Sequence, residues 1–235
     1  VSLTDHITSY STLIVTGPKA RDVLTAMGTD ADLSPGWLSH QTATVAGQAC
    51  ALLRVSFAGE LGWEIHAENA KIPTLYDAVI VAGAKPFGMY ALNSLRVEKG
   101  YRAWKGDLST DYSLLEGGLG RFVKLDKSQD FPGKAALQNE KQQGSKKMFA
   151  TLIVDAGASD APYMSTIWHE GKVVGETTSG DFGHRVGKSI ALGMLRLDLA
   201  VAGTEVAVEI FGQRCKAVVQ VDQPLWDPSN DRLRR

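Results

Sequence analysis

The chain up to residue 120 alternates between short β-type runs and stretches with helical periodicity. Residues 10–16, rich in β-branched and aromatic side chains, predict a strand that ends at Gly17-Pro18. Pro18 opens a predicted helix that runs to about Met27. The pattern then predicts a hairpin, a further strand and two helices, over residues 42–46 and 49–57, 63–67, 69–83 and 89–99. Residues 101–120 lack periodicity, which at this length is uncommon unless the segment is functional.

The pattern changes near residue 145, where a polar connector over residues 142–147 precedes a region of short β-type runs. The predicted runs cover residues 148–154, 164–169, 172–176, 189–197, 204–211 and 214–221. Six short strands joined by glycine-bearing turns predict a small antiparallel barrel or sandwich. We therefore expect a mixed α+β domain over residues 1–145 and an all-β domain over residues 146–235.

The amino-acid composition limits the functional classes to which the protein can belong. The 25 Lys and Arg residues balance 26 Asp and Glu residues, so the basic excess expected of a nucleic-acid or anionic-membrane binder is missing. No apolar run approaches the length of about 20 residues that a membrane span needs. Cys50 and Cys215 are typical of reduced thiols in a cytoplasmic protein. The chain opens on Val1 without a methionine or signal peptide, and we expect it to be part of a longer protein.

Several common catalytic motifs are incomplete in the sequence. Residues 183–189 resemble a phosphate-binding loop, but its two glycines are one residue too close and a β-type run follows. The five histidines show neither i,i+4 pairing nor an HExxH motif, so no metal site is predicted. A Gly-x-Ser-x-Gly elbow is also missing. These patterns argue against a nucleotide hydrolase, a zinc enzyme and a serine hydrolase.

Three stretches carry more polar and aromatic detail than packing requires, over residues 57–66, 92–107 and 179–193. Each has a purely structural interpretation. Glu64 can be a solvated strand residue, Arg96 can pair with Glu98 or Glu64, and Trp104 can cap the core. Residues alone leave both interpretations open.

Together these stretches resemble the folate-binding aminomethyltransferase family, which includes the T-protein of the glycine cleavage system. The resemblance is strongest to the version fused behind the flavin domain of sarcosine and dimethylglycine dehydrogenases. The matching segments stand in the family's order, at residues 17–24, 59–66, 91–120, 131–137, 178–193 and 224–228. The resemblance implies an α+β fold: an incomplete ferredoxin-like α/β folate-binding domain followed by an antiparallel six-stranded β-barrel.

The resemblance also implies a ligand, tetrahydrofolate, and residues that bind it. Glu64 stands at the place of the family's pterin-reading glutamate. An ionised carboxylate only accepts hydrogen bonds, so it can take the exocyclic amine and the ring N–H of a reduced pterin together. Phe57 replaces a tyrosine common in the family, Arg96 matches an arginine lining the folate site, and Trp104 falls at an aromatic position.

The family transfers a one-carbon unit from an amine to tetrahydrofolate. For this chain the resemblance implies a methylated amine as donor and a flavin dehydrogenase domain or subunit as partner. The family's catalytic aspartate lies before every matched segment, so Asp5 does not inherit its role and no catalytic residue is assigned. Two alternatives remain: a non-catalytic folate-binding or scaffold module, and a folate-dependent demethylase of the same family.

Overall fold

A four-stranded antiparallel sheet organises the first part of the chain in the computed structural model, which describes residues 2–220 and 222–235. The sheet has the strand order β1-β4-β3-β2, so β4 lies inside it and β1 forms one edge. Its strands are β1 (Tyr10–Thr16), β2 (His40–Val45), β3 (Gln48–Leu53) and β4 (Gly62–Glu68). Helix α1 (Ala20–Ala26) follows β1, and helix α2 (Ile72–Val81) follows β4 after a short 3₁₀ turn, Asn69–Lys71.

The β2–β3 hairpin turns at Ala46 and Gly47, so Ala46, predicted as the last residue of the first strand, belongs to the turn. Both turn residues have positive φ angles, 49° and 73°. Two consecutive left-handed residues are the requirement of a tight type I′ turn, whose twist matches that of the flanking strands. This turn fixes the hairpin register, with Val45 opposite Gln48.

One face of this sheet is packed and the other is open. Strand β4 alternates strictly, so Trp63 and Ile65 are buried while Glu64 and His66 are half-buried on the other side. The buried side joins a hydrophobic cluster with residues of both helices, including Leu24 of α1. The side chain of Glu64 therefore lies on the face that the helices do not cover.

The chain divides into two units, one holding the residues up to Leu92 together with Asp227–Arg235 and the other holding Asn93–Trp226. Helix α3 (Met89–Glu98) is followed by the irregular stretch predicted over residues 101–120. Helix α4 (Lys134–Gln143) was not predicted, and Gln142 and Gln143, assigned to a connector, belong to its last turn. The domain boundary at residues 145 and 146 stays a prediction.

The second unit contains a closed antiparallel barrel with the strand order β10-β5-β8-β7-β6-β9. The strands are β5 (Lys147–Val154), β6 (Thr166–His169), β7 (Lys172–Gly183), β8 (Lys188–Arg196), β9 (Glu205–Ile210) and β10 (Gln213–Val219). The predicted run 214–221 ends on Val221, which lies outside the described residues. The predicted α+β fold with a six-stranded barrel is confirmed.

Strand β7 is longer than the predicted run 172–176, because it continues through a polar, glycine-bearing sequence to Gly183. Pairing with β8 along this whole length, with one irregularity between Thr177 and Ser179, holds it extended. In the described part of the chain, no helix is long and apolar enough to cross a membrane.

Candidate functional site

Glu64 lies at the centre of the open face of the first sheet. Its strand neighbours are apolar, since Ile14 of β1 and Leu53 of β3 stand directly opposite it. The side chain is 27% exposed, and its Oε2 atom lies 2.9 Å from Nε2 of His66. A partly desolvated carboxylate with apolar neighbours interacts more strongly with a donor than a fully solvated one does.

His66 connects Glu64 to the edge strand. Nδ1 of its ring lies 3.0 Å from Oγ1 of Thr12, the residue directly opposite it on β1. The side chains of Thr12, His66 and Glu64, in that order, form a hydrogen-bonded chain on the open face. Both ring nitrogens of His66 therefore have partners within the sheet.

Trp63 points to the opposite face from its neighbour Glu64. Its side chain is 1% exposed, and the guanidinium groups of Arg21 and Arg54 lie 5.7 and 5.5 Å from the centre of its ring system. Each guanidinium group over the ring is attracted by the negative charge of the aromatic face, which stabilises the packing around Trp63. The sequence places a carboxylate beside a tryptophan because a strand sends successive side chains to opposite faces.

Phe57 lies in the loop that leads from β3 into β4, and its side chain is half-buried. The loop is shaped by Gly59, which has a φ angle of 73°, a conformation that favours glycine. Ser56 helps to close the loop through a contact of 3.3 Å between its Oγ atom and Oγ1 of Thr16. Phe57 and Glu64 thus belong to the same unit, at the start and in the middle of one loop–strand segment.

Arg96, on α3, is buried and its side chain is saturated by protein partners. Nη1 donates to Oδ2 of Asp107 at 2.6 Å and to the carbonyl oxygen of Tyr101 at 3.1 Å. Nε and Nη2 both donate to Oδ1 of Asn93, and Nη2 also donates to Oγ of Ser179. Every nitrogen of this guanidinium group is occupied inside the second unit.

Asp107 is the partner that sequence reasoning missed. Its side chain is fully buried and accepts hydrogen bonds from the backbone N–H of Ala103, at 2.7 Å, and from the hydroxyl groups of Thr178 and Ser179. A buried charge persists only when it is paired and hydrogen-bonded, and Asp107 meets both conditions. The one signal in the sequence was its place within the stretch 92–107, which carries part of the family resemblance.

A second buried ion pair joins Glu98 of α3 to Arg185 in the turn between β7 and β8. The carboxylate of Glu98 also accepts the backbone N–H groups of Arg185 and Val186, at 2.6 and 3.2 Å. The guanidinium of Arg185 lies 4.9 Å from the ring of Trp226. The interpretation that Arg96 pairs with Glu98 is therefore wrong, because each has a different buried partner.

Trp104 lies in a turn whose backbone forms an isolated bridge to Leu108. Its side chain is 77% exposed, so the interpretation that it caps the core is wrong. The ring is accessible on the surface of the second unit, in contrast to the enclosed guanidinium of Arg96. Glu64 and Phe57 belong to the first unit, and Arg96 and Trp104 belong to the second.

A groove of about 590 Å³ runs along the free edge of β1 and is lined mainly by apolar side chains of β1, α2 and the segment 83–89. Neither Glu64 nor Phe57 lines it. The volume of this groove lies within the range of small-molecule binding sites, but its lining offers few polar groups that point to a common ligand position. Within residues 2–220 and 222–235, no group of three or more His, Cys, Asp or Glu side chains is placed to hold a metal ion.

Comparison with known proteins shows which family models and which relatives the chain matches. The family model for the GCVT N-terminal domain matches residues 1–127, and that for the glycine cleavage T-protein C-terminal barrel domain matches residues 147–227. Human mitochondrial dimethylglycine dehydrogenase is 37% identical over 100% of the chain, and mouse mitochondrial sarcosine dehydrogenase is 37% identical over 99%. The aminomethyltransferase of Rippkaea orientalis is 33% identical over 93% of the chain.

The chain spans 28%, 26% and 58% of these three relatives, respectively. The crystal structure of the glycine cleavage system aminomethyltransferase T from Bartonella henselae superposes with a TM-score of 0.83, covering 93% of this chain and 60% of that protein. At 24% identity this likeness shows the fold alone. With both family models matched in order along one chain, it follows that this chain belongs to the glycine cleavage T-protein (aminomethyltransferase) family.

Proposed function

We propose that this chain binds tetrahydrofolate through Glu64 and serves as the folate domain of a one-carbon-transferring enzyme. The observation that carries the proposal is the position of the Glu64 carboxylate, half-buried at the centre of an open sheet face with apolar residues on either side. Membership of the aminomethyltransferase family supplies the class of reaction.

The carboxylate fits the hydrogen-bonding edge of a reduced pterin. That edge presents two adjacent N–H donors, and a carboxylate offers two acceptor oxygens with about four lone-pair sites. Within the described residues Oε2 has one partner, His66, and Oε1 has none. Enough acceptor capacity therefore remains for both donors of the ring, as short charge-assisted bonds.

The contribution of this chain to the reaction is to bind and orient. Bound tetrahydrofolate would supply the nitrogen atoms that accept the one-carbon unit. Glu64 fixes the orientation of the ring, and the side chains of Ile14 and Leu53 beside it offer no hydrogen-bond donor that would compete for its oxygens. Holding reacting groups in one geometry can contribute several kcal/mol to catalysis, about 7–11 kcal/mol in the most favourable cases.

The other three residues of the predicted site stay predictions. Phe57 offers a half-buried ring near the start of β4 against which a pterin can pack. The exposed ring of Trp104 is available to a ligand. The donors of Arg96 are all used within the protein, which favours a bracing role for Arg96 over direct contact with folate.

The amine donor and the dehydrogenase partner are part of the same proposal. The chain resembles one part of dimethylglycine dehydrogenase and one part of sarcosine dehydrogenase. These parts make up 28% and 26% of the length of the two enzymes, respectively. We infer a methylated amine as donor and a flavin dehydrogenase domain or subunit as its source. A non-catalytic folate-binding module is the second candidate, since the resemblance assigns the role of the family's catalytic aspartate to no residue of the matched segments. The cytoplasmic location stays a prediction, and the names of these two relatives assign those enzymes to mitochondria.

The test is a calorimetric titration of the chain with 5-formyltetrahydrofolate, a stable analogue of the reduced cofactor. We expect saturable binding, weakened about 5- to 150-fold by Glu64→Gln, since this is the range for losing a hydrogen bond to a charged group. Glu68→Gln is the matched control, because Glu68 lies on the same strand and its one ion-pair partner among the described residues is Lys71, at 3.0 Å on the surface. Equal affinities for wild type and Glu64→Gln would remove Glu64 from the site.

A further inference from the structure

The orientation of Glu64 depends on a single polar contact. Of the described residues, only His66 forms a hydrogen bond with its carboxylate, through Nε2 and Oε2 at 2.9 Å. The residues directly opposite Glu64 on both neighbouring strands, Ile14 and Leu53, have no polar side-chain atoms. Among the described residues, His66 therefore makes the one polar contact that sets the direction in which the carboxylate points.

The ring of His66 is itself fixed from its other side. Nδ1 lies 3.0 Å from the hydroxyl oxygen of Thr12. Because a carboxylate accepts only, Nε2 must carry the proton that is donated to Glu64. A threonine hydroxyl can donate or accept, so Thr12 satisfies Nδ1 in either protonation state of the ring. The contact between Nε2–H and Glu64 persists whether His66 is neutral or charged.

Within the described part of the chain, the ring of His66 has two hydrogen-bond partners, Glu64 and Thr12. Across the strands, His66 faces Thr12 of β1 and Ala51 of β3. Further along the strand, the exposed carboxylate of Glu68 is paired with Lys71 at 3.0 Å. The ring of His66 thus forms one hydrogen bond with Glu64 and another with Thr12.

We propose that His66 is a positioning residue that holds the Glu64 carboxylate ready for the ligand. By occupying one lone pair of Oε2, it fixes the rotation of the carboxylate and directs Oε1 and the remaining lone pair of Oε2 to the donors of the ring. The ligand then binds without ordering a free side chain, which would otherwise reduce its affinity. This inference rests on the proposed folate site and adds a residue to it.

Two amide substitutions separate positioning from general structural support. The side-chain nitrogen of His66→Gln stands near the place of Nε2 and can donate to Glu64, whereas that of His66→Asn stands near Nδ1 and cannot reach it. We expect His66→Asn and His66→Ala to weaken 5-formyltetrahydrofolate binding about 3- to 10-fold, and His66→Gln to stay within about 2-fold of wild type. His40→Ala, at an exposed histidine of β2, is the control.

The same substitutions in a Glu64→Gln background complete the test. If His66 acts through Glu64, His66→Ala in that background changes affinity by less than about 2-fold. Wild-type binding that His66→Asn and His66→Ala leave unchanged would overturn the positioning role while the folate site stands. Absence of binding by a folded wild type would instead refute the folate site, and the positioning role with it. If His66→Gln, His66→Asn and His66→Ala all lose the same affinity for the ligand and all melt at lower temperatures, His66 has a structural role and not a positioning role.

Discussion

Single residues of β4 serve opposite purposes because a strand alternates. Trp63 completes the core against the helices, with Arg21 and Arg54 near its ring, while Glu64 faces outward between apolar neighbours. The resemblance predicts that Glu64 reads the ligand, but it did not indicate that His66 would be its partner. An i,i+2 pair on one strand face is visible in the sequence once the strand is known.

Arg96 gives the sharpest prediction at the residue scale. Arg96→Ala would leave Asp107, a fully buried carboxylate, without its cation. We expect unfolding to become easier by about 3–5 kcal/mol, the cost of breaking a buried pair by removing one partner. Urea denaturation measures this difference.

The matched control is Arg196→Ala, whose partner Asp198 is exposed, so no measurable change is expected. Folate affinity per folded molecule distinguishes the two roles of Arg96. An unchanged affinity agrees with bracing, and a weakened affinity would support the predicted place in the folate site. Unaltered stability of Arg96→Ala would contradict the structural account of the buried pair.

At the scale of elements, the sequence predicted those whose hydrophobic pattern is strong. Strand β1 was predicted at its observed bounds, 10–16, because this segment is rich in β-branched and aromatic residues and ends at Gly17-Pro18. Helix α4 was missed because a single residue, Leu137, is buried along it, too little to create an apolar stripe. The extension of β7 to Gly183 was missed because pairing with β8, and not its own polar sequence, holds it extended. The role of Asp107 depends on Thr178 and Ser179, which are distant in sequence and adjacent only after folding.

Gly180 is a prediction at the scale of β7. A Cβ atom there would lie 2.0 Å from the backbone carbonyl oxygen of Ala161, so the main chain would have to move. We expect Gly180→Ala to destabilise the protein by about 1–3 kcal/mol, as overpacking does, measured by thermal unfolding. Gly36→Ala is the control, because a Cβ atom at Gly36 meets nothing within 4 Å. Equal melting temperatures of the two variants would show that β7 and the segment at Ala161 are not packed this closely.

Tyr112 links the irregular stretch 101–120 to the barrel and predicts a response to alkaline pH. Burial, together with the hydrogen bond of 2.9 Å from its hydroxyl group to Oε1 of Glu176, raises the pKa of Tyr112. A tyrosine with a raised pKa in the folded state stabilises fully below its ordinary pKa of about 10. That stabilisation is lost as the pH rises above this value, because the unfolded chain releases the proton first.

The measurement is the free energy of unfolding in urea between pH 8 and pH 11, for wild type and for Tyr112→Phe. Wild type should lose more stability over this range than Tyr112→Phe does, since the variant lacks the ionising hydroxyl group. The remaining tyrosines titrate in both proteins and cancel in the comparison. Parallel pH profiles would mean that Tyr112 ionises as it does in the unfolded chain.

At the scale of the whole molecule, the chain combines a sheet with one open face and a closed barrel. The family resemblance predicted both parts in order, and the two matched family models confirm it. Periodicity alone predicted most of the elements but could not choose between a barrel and a sandwich, since closure depends on which strands pair. The aminomethyltransferase relative extends beyond the matched region, with 58% of its length covered, so the activity of the intact protein stays a proposal.

The most direct test of the account varies the ligand together with Glu64. Wild type and Glu64→Gln are titrated calorimetrically with 5-formyltetrahydrofolate and with its analogue lacking the exocyclic 2-amino group. If Glu64 reads that amine, wild type prefers the complete ligand by about 10-fold or more, the range for a bond between a donor and a charged acceptor, and Glu64→Gln loses most of that preference. An equal preference in both proteins would contradict the assignment of Glu64 as the residue that reads the pterin.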